Sequence, residues 1–372
     1  MIMNNKMKFN SIIVRYGEIS LKGKNRRSFE LKLKTDIEGF LKTRKIDFSD
    51  VVLKRGRIYI LGIDSIPDLK KIMGLHSYSP ALKIEKDLDI LENEVLQFVP
   101  MIAAAQNFRV SCQRVDKRFP VKSVDLEQKI GHLLHIKSGT PVKLNKPDVE
   151  FQIEIGENGI FLFAEKIRGY SGMPYGSAGK LVSLISGGID SPVATFLMMK
   201  RGVQPILLHF KLSEEDSQKV IKIKEKLEEY AAGREIKLYI IPRDEIFKGR
   251  FTELYNNNRY QPYLCLICKH LMHKKAGEIA KQEGALGIIT GDNLAQVASQ
   301  TLKNLFAYRL VSEFPVYSPL ISFEKEQTVK IAREIGTYDL SVIKTKGCIP
   351  PKNPKTGVSM NTFNKILKEI DL

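Results

Sequence analysis

Apolar residues over the first 170 positions fall into short strands and helical stripes. "SIIVRY" (11–16) is an apolar strand. In "SFELKLKTDIEGFLKTR", Phe29, Leu31, Leu33, Ile37 and Leu41 recur at helical spacing and are expected to share one face. "VVLKRGRIYILG" reads as two strands about a tight Arg-Gly turn. The same grammar returns over 65–168. "SYSPALKIEK" and "FRVSCQRV" read as strands, "DILENEVLQFV" and "DLEQKIGHLLHIK" as helices, and "DVEFQIEI" with "GIFLFAEK" as a hairpin across Gly156–Gly159. "RGYSGMPYGSAGK" (168–180) is rich in Gly, Ser and Pro without a period, and reads as a linker or ordered loop.

From Leu181 the pattern changes. The short apolar runs "LVSLIS", "VQPILLHF", "IKLYIIP" and "ALGIITGD" alternate with helical stretches such as "SPVATFLMMKRG" and "KVIKIKEKLEEYAAG". Strands alternating with helices predict a parallel, doubly wound α/β sheet preceded by two small α+β domains. Domain boundaries are expected at 1–63, 64–168 and 176–372. No solenoid-length repeat and no low-complexity tract interrupts them.

Composition narrows the class. The chain has 372 residues, 43% of them hydrophobic, enough for two or three cores. No run approaches the roughly 18 apolar residues of a membrane helix. The opening "MIMNNKMKFN" lacks the apolar core of a secretory signal, and there are only four cysteines, so a reducing cytoplasm without structural disulfides is expected. Lys plus Arg number 59 against 42 Asp plus Glu, a net charge of +17. Clustered cations are rewarded by phosphates through counterion release, so the charge points to nucleic acid.

The first strand of the last domain runs directly into "SGGIDSP", Ser186 to Pro192. Two glycines permit turns that other residues resist, a strand–turn–helix start presents free N–H groups to an anion, and Pro192 suits a first helical turn. Ser186 and Ser191 add hydroxyl donors. The stretch is neither a Walker loop nor a dinucleotide fingerprint, since it lacks both the Gly-Lys-Ser/Thr and the G-x-G-x-x-G patterns. It resembles the PP-loop of ATP pyrophosphatases, which holds pyrophosphate and leaves AMP on an oxygen. Asp190 is acidic within a phosphate site. It is expected to help hold Mg²⁺ or to cap the helix beginning near Ser191.

With the loop in place, other stretches fall into line. "RYGEISLKGKNRRSFE" (15–30), "GLHSYSPA" (74–81) with "CQRVDKRFP" (112–120), "GDNLAQVASQTLKNL" (291–305) and "SPLISFEKEQTVKIAREIGTYDLS" (318–341) resemble, in order, the tRNA 4-thiouridine synthetases (ThiI). The resemblance implies a ferredoxin-like domain at 1–63, an RNA-binding THUMP domain at 64–168 and a PP-loop ATP pyrophosphatase domain at 176–372. It implies a tRNA sulfurtransferase: ATP adenylates the C4 oxygen of uridine 8 of tRNA, and a sulfur nucleophile displaces AMP. Implied nucleotide contacts are Leu184, Ile185, Ser186, Gly187, Gly188, Asp190, Ser191, His209, Phe210, Lys269, Gly291 and Gln300. At 269 the family usually has Arg, and Lys269 keeps the charge without the bidentate fork. Lys325 matches a lysine that stabilises phosphate charge during adenylation. Lys22, Lys24, Arg26, Arg27, Lys54, Arg55, Arg57, Lys117 and Arg118 are candidate phosphate contacts, and Tyr16 and Phe119 either stack on bases or pack. A homodimer is also implied.

Bacterial members often add a rhodanese domain that brings persulfide sulfur. The sequence here ends at Leu372. Sulfur is therefore expected to be handled by catalytic-domain cysteines or delivered by another carrier, as sulfide or persulfide. Cys348, in "TKGCIPPKNP", matches the family's reactive cysteine, whereas the pair in "PYLCLICKH", Cys265 and Cys268, departs from the bacterial pattern and just precedes a helical stretch. The leading reading is an iron–sulfur cluster held by Cys265, Cys268 and Cys348, with one iron left open for sulfide. A persulfide relay using thiols of lowered pKa at a helix start comes next, then zinc completed by His270 or His273, or no role. Cys112 reads as a packed core thiol. Other classes stay open: a PP-loop enzyme acting on a small molecule, an RNA-binding module with a dead nucleotide fold, another PP-loop tRNA thiolase, or a sulfur transferase of thiamine thiazole synthesis.

Overall fold

The computed structural model describes residues 8–54, 56–310, 312–345 and 347–371, so Arg55 lies outside the described residues. The chain divides into two compact units, Met1–Gly172 and Met173–Leu372.

The first unit is built on strands β1 (Ser11–Tyr16), β2 (Asp50–Lys54), β3 (Arg57–Leu61), β4 (Leu75–Ile84), β5 (Phe108–Arg114), β6 (Val149–Gly156), β7 (Gly159–Phe163) and β8 (Ile167–Arg168). Its helices are α1 (Arg26–Thr43), α2 (Leu88–Glu94), α3 (Val99–Ala103) and α4 (Ser123–Ser138). The strands form one sheet in the order β2-β3-β1-β4-β7-β6-β5, with β8 also on β4. β4 joins the two halves that read as separate domains. Its residues from Leu75 to Ala81 pair with β1, and Leu82–Ile84 pair with β7. The helix expected over 28–44 forms, but its buried apolar face is Leu33, Ile37, Phe40 and Leu41, while Leu31 is exposed. At about 100° per residue Leu31 lies about 160° round from Leu33, so it could not share that face.

The second unit carries β9 (Lys180–Ile185), β10 (Gln204–Lys211), β11 (Leu238–Pro242), β12 (Ile288–Ile289) and β13 (Val316–Tyr317). Its helices are α5 (Asp190–Lys200), α6 (Glu214–Glu228), α7 (Arg243–Ile246), α8 (Phe251–Asn256), α9 (Leu264–Glu283), α10 (Leu302–Arg309), α11 (Lys325–Glu334), α12 (Tyr338–Val342) and α13 (Met360–Ile370). The five strands pair in parallel in the order β11-β10-β9-β12-β13. The chain winds outward from β9 on one side and then crosses to β12 on the other. The carboxyl ends of β9 and β12 therefore flank a topological switch point, where open α/β sheets hold ligands.

Candidate active site

The loop Ser186–Ser191 leaves β9 at that switch point and opens α5. Ser191 Oγ accepts from Ser186 N at 2.9 Å and lies 3.1 Å from Ser186 Oγ, so the two hydroxyls close the loop upon itself. Thr195 anchors the next turn, with its Oγ1 2.8 Å from Ser191 O and 2.7 Å from Ser183 Oγ. Asp190 does not cap α5. Ile189 holds the cap position, and the Asp190 carboxylate accepts from Lys325 Nζ at 2.7 and 3.0 Å instead. Lys325 opens α11, whose start is fixed by a reciprocal capping box between Glu324 and Gln327.

A cavity of about 240 Å³ lies on one side of the loop. Leu184, Ile185, Ser186, Gly188, Asp190 and Ser191 line it together with Lys269, Gly291 and Gln300. Gly291 is required by space, because a Cβ there would sit 2.8 Å from Ser191 N. Lys269 is committed to an ion pair, with Nζ 2.5 Å from Asp292 Oδ1. Asp292 also accepts from Arg309 Nη2 at 2.7 Å, Tyr308 OH at 3.0 Å and Gln300 Nε2 at 3.3 Å. Burial would raise the Asp292 pKa, but Lys269 and Arg309 outweigh it and hold the carboxyl far below the usual range. Because the Gln300 amine faces that carboxylate, its amide orientation is fixed, and Gln300 Oε1 is left buried without a partner. Asp292, Tyr308 and Arg309 were not singled out from the sequence. The one local signal was an acidic residue immediately after Gly291 in "GDN".

A second cavity, about 480 Å³, lies against the same loop and is lined by Gly187, His209, Phe210, Lys219, Arg243, Cys268 and Cys348, among others. Ile185, Ser186 and Gly188 border both cavities. His209 is buried, its Nδ1 3.2 Å from Ile185 O and its Nε2 3.2 Å from Asp216. Nε2 makes no hydrogen bond, and burial lowers the His209 pKa against the pull of Asp216 and the carbonyl.

The cysteines differ from expectation in two respects. Cys265 and Cys268 lie within the first two turns of α9, not ahead of it. Their pKa values are raised, not lowered: burial dominates, with Cys348 adding to it, and Cys268 is pushed up to about 12. Cys348 is exposed and accepts from Arg243 Nη1 at 3.3 Å. Arg243 is itself stacked 3.6 Å from the Phe251 ring centroid. Among the described residues no three His, Cys, Asp or Glu side chains are grouped to hold a metal ion, and that includes the three cysteines. Nor do the histidines join the pair: the His270 ring meets Phe363 edge-on and the His273 ring meets Tyr308. Cys112 sits half-buried at the edge of the first unit's core, as a packed thiol should.

In the first unit, Tyr16 and Phe119 are buried. Tyr16 donates to Glu30, which also holds Arg26 at 2.6 Å, so neither ring is available for stacking. Arg57 is engaged by Glu154 and Arg118 by Asp116, while Lys54 lies 3.8 Å from Glu157. Lys22 sits over the Phe29 ring. Lys24, Arg27 and Lys117 are exposed and form no ion pair among the described residues.

Comparison with known proteins agrees with this layout. The family model described as "Thiamine biosynthesis protein (ThiI)" matches residues 176–372, that of the "ThiI ferredoxin-like domain" residues 11–79, and that of the "THUMP domain" residues 85–165. The chain is 39% identical to a probable tRNA sulfurtransferase of Thermococcus kodakarensis, over 97% of each chain. It is 36% identical to one of Oceanobacillus iheyensis, over 94% of this chain and 88% of that one. A crystal structure of a 4-thiouridine synthetase–RNA complex with bound ATP superimposes with a TM-score of 0.88 at 30% identity, covering 98% of this chain and 95% of the other.

Proposed function

The chain belongs to the ThiI family, and from that premise we propose that it is a tRNA sulfurtransferase that converts uridine 8 of tRNA to 4-thiouridine at the expense of ATP. The observation that carries this reading is one phosphate loop bordering two cavities, one holding Lys269 and Gln300, the other Cys268 and Cys348. Activation and sulfur delivery can then meet on either side of the same loop.

Ser186, Gly187, Gly188 and Ser191 hold the pyrophosphate through N–H and hydroxyl donors. Leu184, Ile185, His209 and Phe210 line the strand ends beneath the nucleotide, and Lys269, Gly291 and Gln300 close it from the β12 side. The uridine C4 oxygen attacks the α-phosphorus, pyrophosphate leaves, and Lys325 offsets the charge that develops. A sulfur nucleophile then attacks C4, and AMP departs with the former oxygen. Asp190 would hold Mg²⁺, which supplies charge neutralisation on the phosphates. Its single solvent-facing carboxylate suits a cation that arrives with ATP.

Cys265, Cys268 and Cys348 would hold an iron–sulfur cluster, which supplies an open iron site for sulfide. The donors are right in kind though not gathered into a metal site: Cys348 lies near enough to Cys265 and Cys268 to push both of their pKa values up. The first unit, as ferredoxin-like (1–63) and THUMP (64–168) portions, grips tRNA, residues 176–372 perform the chemistry, and the enzyme works as a homodimer in the cytoplasm. A role in thiamine biosynthesis, which the family description names, leaves the THUMP match without a purpose.

The test is a defined assay of anaerobically purified protein, ATP, sulfide and an unmodified tRNA transcript. ATP- and tRNA-dependent 4-thiouridine, with pyrophosphate released in step, is the expected result. Pyrophosphate release without tRNA, or none with it, would overturn the reading. Iron and acid-labile sulfide that are stoichiometric in the native protein and lost in Cys348→Ala are expected. Metal-free protein that still thiolates from a persulfide donor would replace the cluster with a relay.

A further inference from the structure

Cys348 belongs to a segment with little apolar anchorage. Val342, Ile343 and Ile349, its large apolar side chains, are each half or more exposed. Among the described residues of this segment, hydrophobic burial therefore anchors little of the backbone. One buried side chain holds it: Lys219, on the second turn of α6, donates from Nζ to Ser341 O at 2.9 Å and to Ile343 O at 2.7 Å. The carbonyls it takes lie at the end of α12, where helix carbonyls lack partners and a cation is favoured. Ser341 Oγ adds a bond to Gly188 O at 3.3 Å.

The stem of the same lysine lies against the phosphate loop. A Cβ at Gly187 would come within 2.8 Å of Lys219 Cδ. One side chain thus touches the loop with its carbons and the cysteine-bearing segment with its nitrogen. Cys348 follows Ile343 by five positions, a reach of up to about 17 Å if the backbone is released. A misplacement of even about 1 Å at a reacting group costs on the order of a hundredfold in rate.

We propose that Lys219 is a positioning residue that registers the Cys348 segment against the phosphate loop, so that its loss uncouples sulfur delivery from adenylation. The inference rests on the reading of Cys348 as a sulfur-transfer cysteine. Lys219→Met keeps the carbon stem beside Gly187 and removes the ammonium, its donors and its charge together, so Lys219→Gln, which keeps a neutral donor, is assayed with it. Full-length Lys219→Met, with ATP, sulfide and tRNA transcript, is expected to form 4-thiouridine at least about tenfold more slowly while tRNA-dependent pyrophosphate release stays within about twofold. Hydrogen exchange of the 338–350 peptide is expected to speed up, with α5 unchanged.

A parallel loss of both activities, or of neither, overturns the proposal, as does unchanged exchange in 338–350. Cys348→Ala is assayed alongside. Full thiolation by that variant would sink the reading of Cys348, and the exchange measurement alone would then decide whether Lys219 positions the segment. Should Lys219→Met not fold, Lys219→Gln is judged by the same criteria.

Discussion

Asp190 offers both carboxylate oxygens to one ammonium, yet both partners of the pair remain open to solvent. Such a pair is worth little as a structural tie, which leaves each group free to exchange the other for phosphate or cation. Asp190→Asn is expected to fold normally and to lose tRNA-dependent pyrophosphate release on the order of a hundredfold. Undiminished release would remove Asp190 from the chemistry. His270 and His273 behave differently. Both are buried, and burial pushes each down to about 4. The folded state therefore excludes a proton that the unfolded chain takes up below about 6.5. The neutral rings contribute fully above that value, and the contribution drains as pH falls from about 6.5 towards 4, about 1 kcal/mol per ring by pH 5.5. Thermal melts at pH 7.5 and 5.5 should show this loss, and His270→Leu should show roughly half of it. The phosphate loop was legible in the sequence because its residues are contiguous. Asp292, Arg309 and Lys219 were not, because their partners lie far along the chain and no spacing marks them. The lowered thiol pKa of the relay reading missed because a helix start can be read from sequence and burial cannot.

At the scale of elements, the site depends on close backbone approach more than on side chains. Gly291→Ala would drive a methyl into Ser191 N and force the start of α5 to move. Overpacking of this kind costs about 1–3 kcal/mol, so ATP affinity should fall tenfold or more, measured by calorimetry. Unaltered affinity would mean that β12 yields easily. Asn304 ties α10 to the segment after Cys348. It is fully buried and donates to Ala298 O at 2.7 Å and Lys355 O at 2.8 Å, and its Oδ1 accepts from Val358 N at 3.0 Å. Asn304→Ala should leave these groups unpaired and cost about 1–3 kcal/mol, read as a lowered denaturation midpoint. Long apolar strands such as β9 and β10 were readable by period and length. β13 was not, since two residues carry no period, and its place in the sheet is set by pairing with β12.

At the scale of the molecule, the excess of positive charge narrows to fewer residues than the composition suggests. Arg26, Arg57 and Arg118 are already engaged by carboxylates and Lys22 lies over a ring, which leaves Lys24, Arg27 and Lys117 as the best-placed phosphate ligands among the described candidates. Replacing these three with Ala should weaken tRNA binding and lower the slope of log affinity against log salt by about 0.9 for each phosphate no longer neutralised. An unchanged slope would move the tRNA grip elsewhere. Among the described residues no helix is long and apolar enough to cross a membrane. The sheet orders bear also on how the protein is made. β9 lies at the centre of its sheet, but β12, its neighbour on one side, begins about a hundred residues later. On a translating ribosome all strands of the first unit emerge before β9 exists, whereas the phosphate loop emerges early and waits for β12. Closing so long a loop is slow. A nascent chain would then hold a finished first unit and, after it, an open, unpaired strand edge. Holding that edge from neighbouring nascent chains is a task for the translation machinery, and slowing synthesis between β11 and β12 would lengthen the exposure.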